Sequence, residues 1–344
     1  MIDFRYHLVS IVAVFLALAI GIVLGSTELQ GPAYNLLDKT TSKLQSELGQ
    51  VSSQRDTAQQ QATEGEMYAQ AVEPTVLHDL LTGQRLLIVT EPGAQSSVVS
   101  GISSAALAAG ASITGQINLA TKFFDTRGTA QDSLNQTTLD VAQAAGLQLD
   151  SSATYQQQAV QVIASEILVK TPASSTSTGK AAGDQGTEAS TMLQAYAASQ
   201  FLSTTGQPAS SATLVVVVTP QNPPADGSTD QLDQVLIPLV TELAAKSSAT
   251  VVVGSSAGSG AGSPIAVLRS NNVSSQVSTV DNADLVAGQT VAMQARAVGR
   301  AGGKAGSYGF TANGASAIAP SPAPTPSGSV SATPTSSSTK KKVK

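Results

Sequence analysis

The chain has 344 residues, a net charge of −5 and only 12% charged side chains, about half the share usual for a soluble globular protein. With no cysteine and two histidines, His7 and His78, it has no disulfide framework, thiolate metal site, cysteine nucleophile or cage of histidines. Lys340, Lys341, Lys342 and Lys344 hide a body nearer −9, which excludes nucleic acid as a partner of that body.

From Tyr6 to Thr27 there are 22 residues without Asp, Glu, Lys or Arg. As a helix at ~1.5 Å per residue this stretch reaches roughly 33 Å, enough to cross a hydrocarbon core of about 30 Å. The competing reading is a cleaved signal peptide, with Arg5 as its basic flank and Gly25 and Ser26 near a cut. Its apolar core, however, exceeds the roughly 7–15 residues of such signals, and residues 1–27 are read as an uncleaved anchor. Arg5 and the free amino group favour a cytoplasmic N-terminus, with the bulk of the chain extracytoplasmic. Ala17, Gly21 and Gly25 recur every fourth residue, so one helix face is small enough for another backbone to approach.

Residues 28–76 read as a helical stalk. Leu37, Leu44, Val51, Ala58, Gly65 and Val72 form one seam of a heptad pattern, and Thr41, Leu48, Arg55, Ala62, Ala69 and Val76 the other. Arg55 and Gly65 interrupt an otherwise mainly apolar stripe. Leu37, Leu44, Leu48 and Val51 are the strongest seam residues. They imply either self-association as a short coiled coil or packing against the chain's own next domain. Glu73-Pro74 is the expected end of the helix.

Beyond the stalk the period changes. Arg85–Thr90, Ala111–Leu119, Thr213–Thr219, Thr250–Val253 and Gln276–Val280 read as strands. Helical stretches separate them at Val98–Ala109, Ala130–Ala145, Leu232–Ala245 and Ala283–Val298. Continuous aliphatic strands alternating with helices indicate a parallel sheet covered on both faces. Residues 77–315 are therefore expected to form a mainly parallel α/β domain of the Rossmann or flavodoxin kind. A helical insertion at about 125–205 would hold helices near Ala159–Val169 and Glu188–Leu202, with an exposed loop from Pro172 to Gly186. Residues 316–344, with five prolines and many Ser and Thr, cannot bury a core and read as a disordered tail. Its basic end could touch anionic cell-wall polymers or lipid headgroups.

Few motifs carry chemistry. Gly254-Ser-Ser-Ala-Gly258 follows a strand like a nucleophile elbow, but that chemistry needs a later histidine and none follows His78. The wider Gly254–Gly262 loop lacks the complete phosphate-binding signatures. His78 beside Asp79 is the remaining arrangement with metal-binding or proton-moving potential. Successive helical residues diverge by about 100°, so their adjacency alone does not pair them. A histidine that merely closes the stalk is the plainer reading. No acid–base constellation suggests an enzyme.

Asp3-Phe-Arg-Tyr-His-Leu-Val-Ser10, Ala13-Val-Phe-Leu-Ala-Leu-Ala-Ile-Gly21 and Val23-Leu-Gly-Ser26 resemble the N-terminus of the actinobacterial copper-transport outer-membrane protein family typified by mycobacterial MctB. The resemblance continues in Gln54-Arg-Asp56, His78-Asp79 with Leu81 and Gly83, Ser278-Thr-Val-Asp281 and Tyr308-Gly309. It implies a non-enzymatic envelope protein of copper homeostasis or efflux, described for the family as pore-forming, with an outer-membrane location. It offers no established ligand set, so copper is expected only as a transient ion, with His78 and Asp79 as candidate ligands. The residues themselves do not describe a barrel, which needs many strands of alternating polarity. A pore would come from a homo-oligomer assembled through anchors and stalks. The alternative is an envelope scaffold or binding module that presents its stalk and α/β domain to a protein or cell-wall partner.

Overall fold

A computed structural model describes residues 4–170, 182–207, 211–221, 232–256, 262–300 and 303–309. The chain divides into two compact units, one ending at Met67 and the other starting at Tyr68.

The first unit is helical. Helix α1 runs unbroken from Phe4 to Leu77, so its last residues belong to the second unit. Among the described residues, Arg5–Gly25 is the one helical stretch long and apolar enough to cross a membrane. Its large apolar side chains from Leu8 to Leu24 are all more than half exposed. Leaving a Val, Leu, Ile or Phe side chain in water forfeits about 1.5–3 kcal/mol each, a cost that lipid removes. Farther on, the exposed face of α1 is held by local pairs, such as Lys43 with Glu47 at 3.8 Å and the side chain of Gln60 donating to Glu64 at 3.0 Å. Pro74 does not end the helix. A proline inside a helix costs about 3 kcal/mol, but continuing to Leu77 buries that leucine completely in a core shared with Leu81 and Ile102.

The second unit is built on a seven-stranded sheet: β1 (Arg85–Thr90), β2 (Ser112–Leu119), β3 (Leu202–Gly206), β4 (Leu214–Val218), β5 (Ala249–Val253), β6 (Ser278–Val280) and β7 (Ser307–Tyr308). Their order is β3-β2-β1-β4-β5-β6-β7, all parallel except β3, which is antiparallel to β2. The aliphatic runs are explained by two separate cores. Leu86, Ile88, Leu214, Val216 and Val218 point to one face, beneath helices α2 (Ser96–Ala108) and α8 (Val286–Arg300). Leu87, Val89, Val215 and Val217 point to the other. Helices α3 (Gly128–Ala145), α4 (Tyr155–Ile167), α5 (Ala182–Ala198), α6 (Ile237–Lys246) and α7 (Pro264–Ser270) contribute to that second core.

The mixed, mainly parallel α/β fold is the one expected, and five of its strands fall where the aliphatic runs placed them. The insertion departs from the expectation at both ends of α5. Its helix starts at Ala182, inside the expected Pro172–Gly186 loop, whose remainder, 172–181, lies outside the described residues. It stops at Ala198 rather than Leu202, because Gln200 takes a left-handed φ of 61° and reverses the chain into edge strand β3. Only Leu202 of β3 is buried, so the strand lacks the alternation that would reveal it. Helix α7 and the two-residue β7 are likewise additions. Residues 316–344 lie outside the described residues.

Candidate functional site

In an open parallel sheet the binding crevice lies beyond the carboxyl ends of the strands, where successive helices leave on opposite faces. Here that point falls between β1 and β4, because α2 follows β1 onto one face and α6 follows β4 onto the other. The two loops meet there. Gln95 Nε2 donates to Gln221 Oε1 at 2.5 Å, and a Cβ on Gly93, whose φ is +86°, would lie 3.3 Å from the Cβ of Pro220.

Immediately after β1 stands Glu91, only 4% exposed, whose backbone N–H donates to Val218 O at 3.0 Å. Its Oε1 is buried without a hydrogen-bond partner. Burial pushes its carboxyl up to about 8, so at neutral pH it is mostly protonated, as an acid stripped of water should be. Asn282, after β6, also buries an unpartnered Oδ1 at the same end of the sheet. Two unpartnered buried oxygens thus stand at the carboxyl end of the sheet, where a ligand or a held proton could satisfy them, and sequence reasoning missed both. The available signal was Glu91 at the stop of an aliphatic run, directly before Pro92-Gly93.

The serine at the elbow position, Ser256, donates from both its backbone N–H (2.8 Å) and its hydroxyl (2.9 Å) to Asp284 Oδ1. The rest of that motif, Ala257-Gly258, lies outside the described residues. A buried ion pair fastens the last strands: Arg269 Nη1 donates to Asp281 Oδ2 at 2.7 Å, Nε to Thr279 Oγ1 at 2.9 Å and Nη2 to Tyr308 O at 2.7 Å. A Cβ on Gly309, at φ +132°, would collide with the Asp281 carboxylate. Arg269 thus joins the Ser278–Asp281 and Tyr308-Gly309 segments singled out above, and gives both a structural reason. Arg296 is fully buried against the sheet, where its Nη1 donates to Val215 O; burial pulls it down to about 9, leaving it cationic at neutral pH.

His78 and Asp79 are brought together, but outside the helix. Helix α1 ends at Leu77, and Asp79 adopts a left-handed φ of 59° that turns its carboxylate back to His78, with Nδ1 to Oδ2 at 3.2 Å. Thr82 Oγ1 holds the other carboxylate oxygen at 3.2 Å. The pair is 78% and 72% exposed, so His78 closes the stalk on the surface rather than inside a core. Among the described residues no group of three or more His, Cys, Asp or Glu is placed to share a metal.

Two surface hollows of about 330 Å³ each lie among helices rather than at the strand ends, one between the insertion and α6 and one within the insertion. One is lined by Asp150, Gln161, Glu242 and Lys246, the other by Val141, Glu166 and Met192. In the first unit, Gly21 and Gly25 have nothing within 4 Å of where a Cβ would stand, so the small face of the anchor with Ala17 is open. Leu37, Leu44, Leu48 and Val51 are 53–68% exposed.

A family model described as "Copper transport outer membrane protein, MctB" matches residues 1–320. The chain belongs to the MctB family. Proteins named copper transporter MctB from Mycobacterium bovis and Mycobacterium tuberculosis are 26% identical to it over 323 residues, which is 92% of this chain and 99% of theirs. The protein of the same name from Mycobacterium leprae is 26% identical over 324 residues. The MctB match begins ahead of the apolar helix and runs past β7. It therefore takes in the anchor, the stalk seam, His78-Asp79, Glu91 and the Arg269 cluster together.

Proposed function

We propose that this chain is a membrane-anchored envelope protein that takes part in copper efflux or homeostasis without catalysing a reaction. The observation that carries the reading is the MctB match across residues 1–320, supported by the lipid-compatible helix Arg5–Gly25 at its start. The N-terminus is cytoplasmic and the α/β unit extracytoplasmic, as the flanking Arg5 favours, which puts the span in the cytoplasmic membrane; the family description makes an outer-membrane setting the alternative. Copper is cargo, met transiently, with the exposed His78–Asp79 pair as its candidate contact. Any route for it through a membrane requires several chains, since the sheet is open-edged and has helices on both faces.

A deletion strain complemented with the chain, with a His78→Ala version or with nothing tests this directly. Cell-associated copper and copper sensitivity should rise on deletion and return to normal with the intact chain. Unchanged copper in the deletion strain would sink the reading. The exposed apolar seam of the stalk favours a second reading, a scaffold that recruits an envelope protein or polymer and affects copper indirectly. That reading expects no copper bound to the purified extracytoplasmic part.

A further inference from the structure

The seam of the stalk lies on a helix that is continuous with the anchor. Leu37, Leu44, Leu48 and Val51 sit beyond the Arg5–Gly25 span, and each is more than half exposed. In water these four side chains forfeit roughly 1.5–3 kcal/mol apiece. Their 3.5-residue repeat is self-complementary, because two such helices side by side bury the same positions of each other.

We propose that the stalk pairs with a second copy of this chain as a parallel two-stranded coil through Leu37, Leu44, Leu48 and Val51, with the small-residue face of the anchor turned outward from that pair. The proposal sharpens the homo-oligomer expected of the copper reading, but its evidence is independent of copper.

Three features select this occupant. Anchors in one membrane hold two copies side by side with their stalks pointing the same way, which fixes the parallel orientation. Charge permits the pairing. In a parallel, in-register coil the flanking positions face each other as Thr40 with Gln45, Glu47 with Ser52, Gln54 with Gln59 and Gln61 with Glu66, and no flanking pair sets like charges together, while the two Arg55 side chains that meet across the seam each carry the carboxylate of their own Asp56 as counter-charge. Arg55 lies within the seam, where only a two-stranded coil lets a long side chain reach water at the rim. Its guanidinium is 74% exposed and held by Asp56 Oδ1, with Nη2 at 2.7 Å.

The orientation of the anchor follows from the unbroken helix. Counting the same heptad back from Leu37 and Thr41 puts Gly21 on the opposite half of the helix, since 16 to 20 residues at about 100° each amount to roughly 160–200°. Gly25 also falls on an outer heptad position, whereas Ala17 shares the position of Gln45 at the flank of the seam. The stalk seam and the small-residue face therefore cannot join the same two chains through one helix face. If both are used, they join different neighbours.

The absence of cysteine makes the test clean. Single cysteines are placed in the full-length chain in its own membrane at Leu37, Thr41, Leu44, Leu48 and Val51 on the seam, at Lys39, Ser46 and Ser53 on the back, and at Gly21. Mild oxidation should link the five seam variants into dimers several-fold faster than the three back variants. A Gly21→Cys, Leu44→Cys double variant should give species larger than a dimer, or dimers linked at Leu44 only. Equal linking at seam and back, failure of the seam variants to link, or dimers joined simultaneously at Gly21 and Leu44 would each overturn the proposal. Copper content of the same strains is a separate readout, so failure of the dimer and failure of the copper reading can be told apart.

Discussion

Single buried groups set the pH response of the α/β unit. Glu91 holds its proton to about pH 8 in the folded chain, whereas the unfolded carboxyl loses it near 4.5. Its contribution is therefore fully present below about 4.5 and is lost as pH rises toward 8, by an amount on the order of a few kcal/mol. Glu91→Gln keeps the shape without the ionisation, so the variant should gain stability relative to the parent at pH 8 and change little at pH 5. Urea midpoints at the two pH values check this, and parallel shifts at both would count against it. The Arg269–Asp281 pair is a different case, buried on both sides at 8% and 1% exposure. Asp281→Ala leaves an uncompensated guanidinium and should cost roughly 3–5 kcal/mol. Combining it with Arg269→Met should cost less than the two single changes added together, measured as a double-mutant cycle. Of these groups only Asp281 stood out in the sequence, within Ser278-Thr-Val-Asp281. Glu91 and Arg296 become unusual only when strands distant in sequence close over them. Arg269 gains its meaning from Asp281 and Tyr308, which the sheet brings to it from 12 and 39 residues away.

At the scale of elements, legibility followed how far each segment's pattern is dictated by burial. Leu214–Val218 is buried at every position, so its unbroken aliphatic run could mean little other than a central parallel strand. Edge strand β3 presents Ser203–Gly206 to solvent, so its one buried residue, Leu202, reads as the end of the preceding helix. Pro74 shows the reverse failure, in which a correct local signal is overridden by the burial of Leu77. For the stalk, sequence periodicity gave the seam but left its partner open. Arg55 is the residue that discriminates. Arg55→Leu removes the charge that restricts the coil to two strands, so a peptide covering residues 32–76 should self-associate more tightly and populate assemblies beyond the dimer. Sedimentation equilibrium of the two peptides, with helicity followed against concentration, measures both effects. Looser association of the leucine variant would show that the stalk does not pair through this seam.

For the whole molecule, the division at Met67 and Tyr68 separates two tasks that the low overall charge had blurred into one property. Within the first unit only the apolar span lacks charge, as a segment surrounded by lipid should, whereas the second unit is poor in charge because two cores sandwich an aliphatic sheet. Each core is closed within residues from Leu77 onward, so the α/β unit has the buried surface it needs without the rest of α1. A chain starting at Tyr68 should therefore fold alone and cooperatively, with mixed helix and strand by circular dichroism, and remain monomeric. A chain starting at residue 28 adds the seam and should dimerise with the same sheet signal. Light scattering and thermal melts of the two chains decide this. If the shorter chain were unfolded, the independence of the α/β unit would be lost. If both were dimeric, the contact that joins copies would have to be sought on the α/β unit rather than along the stalk.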